Sequence, residues 1–162
     1  MPKMLIVDQE KCTGCRLCEQ VCSVQHEGVS NPARSRIHVV KWDSEGYYLP
    51  MMCQHCRDAA CMAVCPKDAI YRDPSLNRVM VNYDLCIGCR MCVAACPFGG
   101  MGVDEKEDRV IKCDYCEGDP QCVRFCDMKA VDYVDSKTVN LRKKRKAGSN
   151  LSQLMRRYVG AP

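Results

Sequence analysis

The sequence predicts a small α+β fold in which short strands and short helices are organised around cysteines. The chain has 162 residues and 16 cysteines, but only one Trp and two Phe, so a conventional aromatic core is not expected. The cysteines recur in groups, and short apolar segments with strand character lie between the groups. Because about one residue in ten is cysteine, the chain is typical of either a disulfide scaffold or a metal protein.

All 16 cysteines fall into four quartets, and each quartet ends in C-x3-C. The first and third share the spacing C-x2-C-x2-C-x3-C, whereas the second and fourth have a wider second gap. LIVDQEKCTGCRLCEQVC aligns with VMVNYDLCIGCRMCVAAC, which indicates one small unit that has been copied. The quartets are Cys12, Cys15, Cys18, Cys22; Cys53, Cys56, Cys61, Cys65; Cys86, Cys89, Cys92, Cys96; and Cys113, Cys116, Cys122, Cys126.

The secondary structure is expected to be short throughout. A short helix should start between the third and last cysteine of each quartet, and Pro66 and Pro97 should end two of these helices. DSEG at 43–46 and DPSLN at 73–77 are turn signals that predict hairpins. The predicted strands are Met4–Val7, Ile37–Trp42, Tyr47–Leu49, Val79–Val81 and Val131–Val134.

The N-terminal segment predicts a reducing, cytoplasmic location. MPKMLIVDQEKC has neither the apolar core nor the cleavage site of a signal peptide, and the sequence has no apolar run long enough for a membrane span. Since disulfide scaffolds belong to secreted proteins, metal binding is the preferred interpretation of the cysteines.

The spacing favours iron–sulfur clusters over zinc. Zinc sites usually join two separated C-x2–4-C knuckles, and C-x2-C-x2-C is too tight for that. The third and fourth cysteines lie about 6 Å apart along a helix, which directs the fourth towards a second cluster, as in the bacterial run C-x2-C-x2-C-x3-C-P. The proline is present after Cys65 and Cys96 but absent after Cys22 and Cys126. Four complete quartets predict four 4Fe–4S clusters.

The net charge of +4 conceals an uneven distribution. Eight of the 24 basic residues lie in 137–162, which leaves 16 basic against 20 acidic residues in the rest of the chain. Each oxidised cluster with four thiolates adds about −2. Basic residues beside the cysteines either offset this charge or are simply solvated; they are Arg16, Arg57, Lys67, Arg90 and Lys112.

Over residues 3–135 the sequence resembles the four-cluster ferredoxin-like electron-transfer subunits of molybdenum and tungsten oxidoreductases. With HEGVSNPARSRIHV at 26–39, it is similar to the small iron–sulfur subunit that accompanies tungsten aldehyde oxidoreductase. The resemblance implies two ferredoxin-like two-cluster modules, one from quartets one and four and one from quartets two and three. It implies four ligand sets: Cys12, Cys15, Cys18, Cys126; Cys22, Cys113, Cys116, Cys122; Cys53, Cys56, Cys61, Cys96; and Cys65, Cys86, Cys89, Cys92.

The family likeness implies a non-catalytic relay that carries electrons between a tungsten or molybdenum catalytic subunit and another redox partner, such as a flavin/NAD subunit. All the cysteines are then ligands, and no other catalytic constellation is evident. The alternative is a free polyferredoxin that serves another enzyme, such as hydrogenase or formate dehydrogenase. A chain with clusters at both ends could also stack on itself.

Two further features have open interpretations. His55, between Cys53 and Cys56, either hydrogen-bonds a sulfur and tunes the potential of the cluster or is a partly exposed loop residue.

The four-cluster domain is expected to span 1–136, followed by a basic extension at 137–162. In that extension, SNLSQLMRRYV at 149–159 predicts a short amphipathic helix that docks on a partner, or else the extension is disordered. RKKRK at 142–146 suggests nucleic-acid binding, but no aromatic residues interleave it, so none is expected.

Overall fold

The computed structural model of the protein describes residues 3–104 and 106–159. The chain divides into a body, Leu5–Tyr133, and a terminal unit that contains Lys3, Met4 and residues 134–159. Strands and helices are mixed, as the α+β prediction requires. In chain order they are β1 (Lys3–Val7), α1 (Leu17–Glu27), β2 (Ile37–Trp42), β3 (Tyr47–Met52), α2 (Ala60–Ala63), β4 (Ile70–Asp73), β5 (Arg78–Val81), α3 (Met91–Ala94), β6 (Met101–Asp104), β7 (Arg109–Lys112), α4 (Gln121–Arg124), β8 (Val131–Asp135) and α5 (Ser136–Val159).

The strands form two-stranded antiparallel hairpins, and both predicted hairpin turns are confirmed. The DSEG turn joins β2 to β3, with Trp42 opposite Tyr47. The DPSLN turn joins β4 to β5, and the Asp73 carboxylate accepts the Ser75 backbone N–H at 2.9 Å, which fixes the turn. A third hairpin, β6–β7, was not predicted from the sequence. The first and last strands, β1 and β8, pair with each other.

Each of the first four helices begins one residue before the third cysteine of a quartet. The helices α2 and α3 make a single turn and end before Pro66 and Pro97, as predicted. Proline is not the sole determinant, because it is absent after both Cys22 and Cys126. The helix α4 still ends at Arg124, whereas α1 continues to Glu27 and ends where Gly28 adopts a left-handed conformation, with φ of 70°.

The body contains two clusters of buried residues, and each combines cysteines from two quartets. The first includes Cys22 and Cys122 with apolar side chains from β1, β2, β3 and β8. The second includes Cys61 and Cys92 with side chains from β4, β5, β6 and β7. Quartets one and four therefore share one core, and quartets two and three share the other.

The helix α5 occupies most of the basic extension. The sequence predicted a helix only at 149–159, whereas the structure begins it at Ser136. Its apolar residues Leu151, Leu154 and Met155 are 58, 52 and 51% exposed. Across the described residues, no helix has both the length and the apolar character required to cross a membrane.

Candidate metal centres

Three of the four predicted ligand groups each line a cavity of their own. Each group joins the first three cysteines of one quartet to the last cysteine of another, and the most distant pair, Cys12 and Cys126, is 114 positions apart in sequence. We call these groups site 1 (Cys12, Cys15, Cys18 and Cys126), site 2 (Cys22, Cys113, Cys116 and Cys122) and site 4 (Cys65, Cys86, Cys89 and Cys92).

The remaining predicted group, site 3, consists of Cys53, Cys56, Cys61 and Cys96. Negative charge on Cys53 and on Cys96 raises the pKa of the Cys61 thiol, so these three cysteines lie close together. Cys56 follows Cys53 in the same loop. The predicted groups are therefore compatible with the described geometry at all four places.

Left-handed residues shape the loops that present the cysteines. In the first and third quartets, the glycine and the arginine of C-x-G-C-R both have positive φ, at Gly14, Arg16, Gly88 and Arg90. In the fourth quartet, which lacks this glycine, three consecutive residues from Tyr115 to Glu117 take left-handed conformations. A Cβ on Gly14 would lie 2.6 Å from the Tyr48 ring, so glycine is also required there by close packing.

Backbone N–H groups donate to the last cysteine of every quartet. The N–H groups of Ala69, Gly100 and Ala130 lie 3.3 Å from the sulfurs four residues before them, which are those of Cys65, Cys96 and Cys126. Cys22 lies within the longer helix α1 and accepts instead from Arg36, also at 3.3 Å. Such donors stabilise a negatively charged thiolate sulfur. Each site therefore has four cysteines, and at least one of their sulfurs accepts a backbone N–H. This arrangement fits a 4Fe–4S cluster.

Burial makes seven of these thiols weaker acids, because it raises their pKa values. It raises the pKa of Cys18 and of Cys113 to about 12, and that of Cys116 to about 11. The pKa values of Cys22, Cys61, Cys92 and Cys122 are raised for the same main reason. A metal binds the thiolate, so ligation at these buried positions must displace a proton.

Site 2 is surrounded by charged side chains. The Asp114 carboxylate accepts from the Arg36 guanidinium at 2.8 Å and lies 3.4 Å from His26 Nε2. The same His26 nitrogen lies 3.6 Å from the Cys116 sulfur. Sequence reasoning missed both Arg36 and His26, because they come from segments far from the fourth quartet in sequence.

The structure separates the five basic residues that the sequence placed beside the cysteines. Arg16, Arg57, Lys67 and Arg90 are exposed, and two of them form ion pairs, Arg16 with buried Glu19 at 2.7 Å and Arg90 with Asp108. Lys112 is only 5% exposed. His55 is 6% exposed, so the interpretation of His55 as a partly exposed loop residue is wrong.

Comparisons with known proteins find 4Fe–4S domains in this chain. Residues 44–136, which include three quartets, match a 4Fe–4S dicluster domain, and residues 3–24 match a 4Fe–4S binding domain. The protein belongs to the 4Fe–4S dicluster, ferredoxin-like family of electron-transfer subunits. The two matches and the 16 cysteines together account for four 4Fe–4S clusters.

Relatives in this ferredoxin-like family are electron-transfer iron–sulfur proteins. The polyferredoxin-like subunit of aliphatic sulfonate oxidoreductase from Pyrococcus furiosus is 38% identical over 85% of this chain and 79% of its own length. The putative electron transport protein YsaA from Escherichia coli is 39% identical over 90% of this chain and 98% of its own. One subunit of the anaerobic dimethyl sulfoxide reductase from Escherichia coli is 34% identical over 78% of this chain and 70% of its own.

A solved structure has a similar fold. The active site complex BamBC of benzoyl coenzyme A reductase, in complex with zinc, contains a chain that is 25% identical with a TM-score of 0.51. The similarity covers 96% of this chain and 91% of that chain. The ferredoxin-like chain described here is accordingly an electron-transfer iron–sulfur subunit of the kind found in oxidoreductase complexes.

Proposed function

We propose that sites 1 to 4 each hold one 4Fe–4S cluster and that electrons pass along them in that order. When bound, each cluster supplies one-electron transfer. The observation that carries the proposal is the gathering of the cysteines into four separate groups. The ligands are Cys12, Cys15, Cys18 and Cys126 at site 1; Cys22, Cys113, Cys116 and Cys122 at site 2; Cys53, Cys56, Cys61 and Cys96 at site 3; and Cys65, Cys86, Cys89 and Cys92 at site 4.

Contacts between the loops support this order. Sites 1 and 2 share helix α1, which carries Cys18 and Cys22 one turn apart. Sites 2 and 3 meet where the His55 ring packs against the Tyr115 ring, with 4.0 Å between ring centroids. Sites 3 and 4 share the second core, in which the Cys61 and Cys92 side chains are buried together. This pattern favours two two-cluster modules within a domain of residues 1–136.

Sites 1 and 4, the two ends of the proposed order, are the sites with exposed cysteines. Of the 16 cysteines, the two that are exposed are Cys15 in site 1 and Cys89 in site 4. Apolar side chains are also exposed beside them, with Phe125 at 47% near site 1 and Ile87 at 62% near site 4. Electron transfer requires a partner to approach a cluster closely, so we place the redox partners at these two ends.

We propose a tungsten or molybdenum subunit of the aldehyde oxidoreductase type as the catalytic partner, with a second redox protein at the other end. The sequence resemblance supports this choice, and the relative from Pyrococcus furiosus is by name a polyferredoxin-like subunit of an oxidoreductase. The chain itself relays electrons without a catalytic site, since every cysteine is assigned to a cluster.

A free polyferredoxin is the second candidate function. It is favoured by relatives whose names mention no complex, such as YsaA and the electron transport protein HydN from Escherichia coli, which is 36% identical over 83% of this chain. Such a protein would serve a different enzyme, for example hydrogenase or formate dehydrogenase.

One experiment separates these functions. The tagged chain is purified anaerobically from its native host, both as the wild type and as Cys89→Ala, and its iron, tungsten and molybdenum contents are measured. If the chain relays electrons within a complex, we expect about 16 iron atoms per wild-type chain, four for each cluster. Tungsten or molybdenum should be present in the same purified fraction. Cys89→Ala removes a ligand at the site 4 end, so it should abolish coupled turnover while the partner keeps its own metal.

The other outcomes decide against the complex. Full iron without tungsten or molybdenum would favour the free polyferredoxin or a different enzyme. Four zinc ions with little iron would contradict the cluster assignment. Full coupled turnover by Cys89→Ala would contradict relay through site 4.

A further inference from the structure

Lys112 is a buried lysine at the end of β7, immediately before Cys113. Its side-chain ammonium donates to the Val79 carbonyl and, at 2.8 Å, to the Cys113 carbonyl. The same nitrogen lies 3.4 Å from His55 Nδ1. These three contacts come from three different segments of the body, so the position of the ammonium group is closely defined.

The partners of Lys112 belong to both inner sites. Cys113 is a cysteine of site 2, and His55 lies in the loop between Cys53 and Cys56 of site 3. The His55 ring in turn packs on Tyr115, which lies between Cys113 and Cys116 of site 2. The ammonium group therefore lies at the junction between the two inner sites.

None of the groups that bind the Lys112 ammonium carries a negative charge. The His55 ring is neutral, because its Nδ1 accepts the Val79 backbone N–H at 2.9 Å and so carries no proton of its own. Nearby Arg78 is paired with Asp73 and Glu117, so its charge is compensated within the protein. No carboxylate among the described residues forms a comparable ion pair with Lys112.

We propose that the buried positive charge of Lys112 raises the reduction potentials of the clusters at sites 2 and 3 together. Reduction adds one negative charge to a cluster, and a positive charge in a low-dielectric interior stabilises the reduced form. The proposal rests on the assignment of these cysteines as cluster ligands.

The geometry brings this charge to both sites. Lys112 is bonded in sequence to Cys113 of site 2, and its ammonium lies 3.4 Å from His55 Nδ1, in the loop that carries Cys53 and Cys56 of site 3. Because both inner potentials rise together, an electron meets no added uphill step between sites 2 and 3.

Two variants test the proposal against a matched control. Lys112→Met removes the charge and the donor, whereas Lys112→Gln removes the charge but keeps a donor. Lys11→Met is the control, because Lys11 precedes Cys12 just as Lys112 precedes Cys113, but its side chain is 55% exposed. The loaded full-length chains are compared by iron content and by redox titration followed by electron paramagnetic resonance.

We expect full iron in Lys112→Gln and lower midpoint potentials for two of the four clusters in both Lys112 variants. At a fixed ambient potential, the ratio of reduced to oxidised cluster should fall about tenfold at those two clusters, which is about 59 mV for a one-electron couple. The other two clusters, and all four in Lys11→Met, should keep their potentials.

Several results would overturn the proposal. One is an unchanged set of potentials in Lys112→Gln; another is a shift confined to Lys112→Met or to a single cluster. Loss of iron from both variants would show that the side chain acts by holding the loops and not by its charge. Iron for fewer than four clusters in the wild type would instead contradict the ligand assignment, and that result is distinguishable because it needs no variant.

Discussion

Gly100 serves site 3 in two ways. Its N–H donates to the Cys96 sulfur at 3.3 Å, and its missing side chain lets the backbone pass close to the other cysteine loop. A Cβ at this position would lie 2.7 Å from Cys53 Cα and 3.0 Å from Cys53 N. Both are backbone atoms of a loop that binds the cluster, so they cannot move aside without shifting Cys53.

Gly100→Ala should therefore destabilise the protein by about 1–3 kcal/mol, as other overpacked sites do, and weaken site 3 selectively. We expect iron content to fall by about a quarter, which is one cluster of four. Thermal unfolding and iron analysis measure the two effects. Gly102→Ala is the control, because the atom nearest its Cβ would belong to the flexible Ile111 side chain, at 3.4 Å. Full iron and unchanged stability in Gly100→Ala would show that the loops accommodate the methyl group.

The burial and contacts of a residue could not be predicted from the sequence where its partners are distant in sequence. The cysteines could be assigned to quartets because their spacing is local. For Lys112 the sequence left open whether its charge offsets that of a cluster or is solvated, because its neighbours in sequence gave no sign of burial. The groups that bury it are Val79, 33 positions away, and His55, 57 positions away. Only the folded chain brings these segments together.

The elements follow local signals where such signals exist. Proline after Cys65 and Cys96 predicted where α2 and α3 end, and two turn sequences predicted two hairpins. The β6–β7 hairpin was missed because GMGVDEKEDRVIK combines glycines with a run of charges and lacks a clear strand pattern. The first half of α5 was missed because residues 137–148 have no apolar periodicity, and Gly148 and Asn150 are weak helix formers.

Two glycines in helical elements should respond to alanine with opposite signs. Gly28 ends α1 with φ of 70° and has no atom within 4 Å of its missing side chain, so Gly28→Ala should cost about 1 kcal/mol of backbone strain. Gly148 lies inside α5 in open space, so Gly148→Ala should stabilise that helix by about 1 kcal/mol.

Thermal melting of the loaded chains measures both effects, by visible absorbance of the clusters for Gly28→Ala and by far-ultraviolet circular dichroism for Gly148→Ala. Gly28→Asn is the control, because asparagine tolerates the left-handed conformation and should retain more stability than alanine. If Gly28→Ala were as stable as the wild type, α1 would have to end in another way.

The whole molecule separates negative from positive charge. With 16 basic and 20 acidic residues, the chain up to residue 136 has a net charge of −4, and 137–162 contributes eight basic residues and no acidic one. Four oxidised clusters would bring the first part to about −12. The α5 helix combines this positive charge with exposed Leu151, Leu154 and Met155. A helix of this kind suits a partner with an apolar groove and an acidic rim.

Deletion of residues 137–162 should weaken binding to the catalytic subunit without changing iron content. Every proposed cluster ligand lies before residue 127, so the loss should concern the partner alone. We expect the dissociation constant to rise about tenfold, which corresponds to about 1.4 kcal/mol, as measured by sedimentation with the purified catalytic subunit.

A full-length variant with Leu151, Leu154 and Met155 changed to serine should lose most of the same affinity, whereas added salt should weaken only the contribution from the basic residues. If the truncated chain kept its affinity for the enzyme but no longer bound nucleic acid, the extension would be a nucleic-acid-binding segment and not a docking helix.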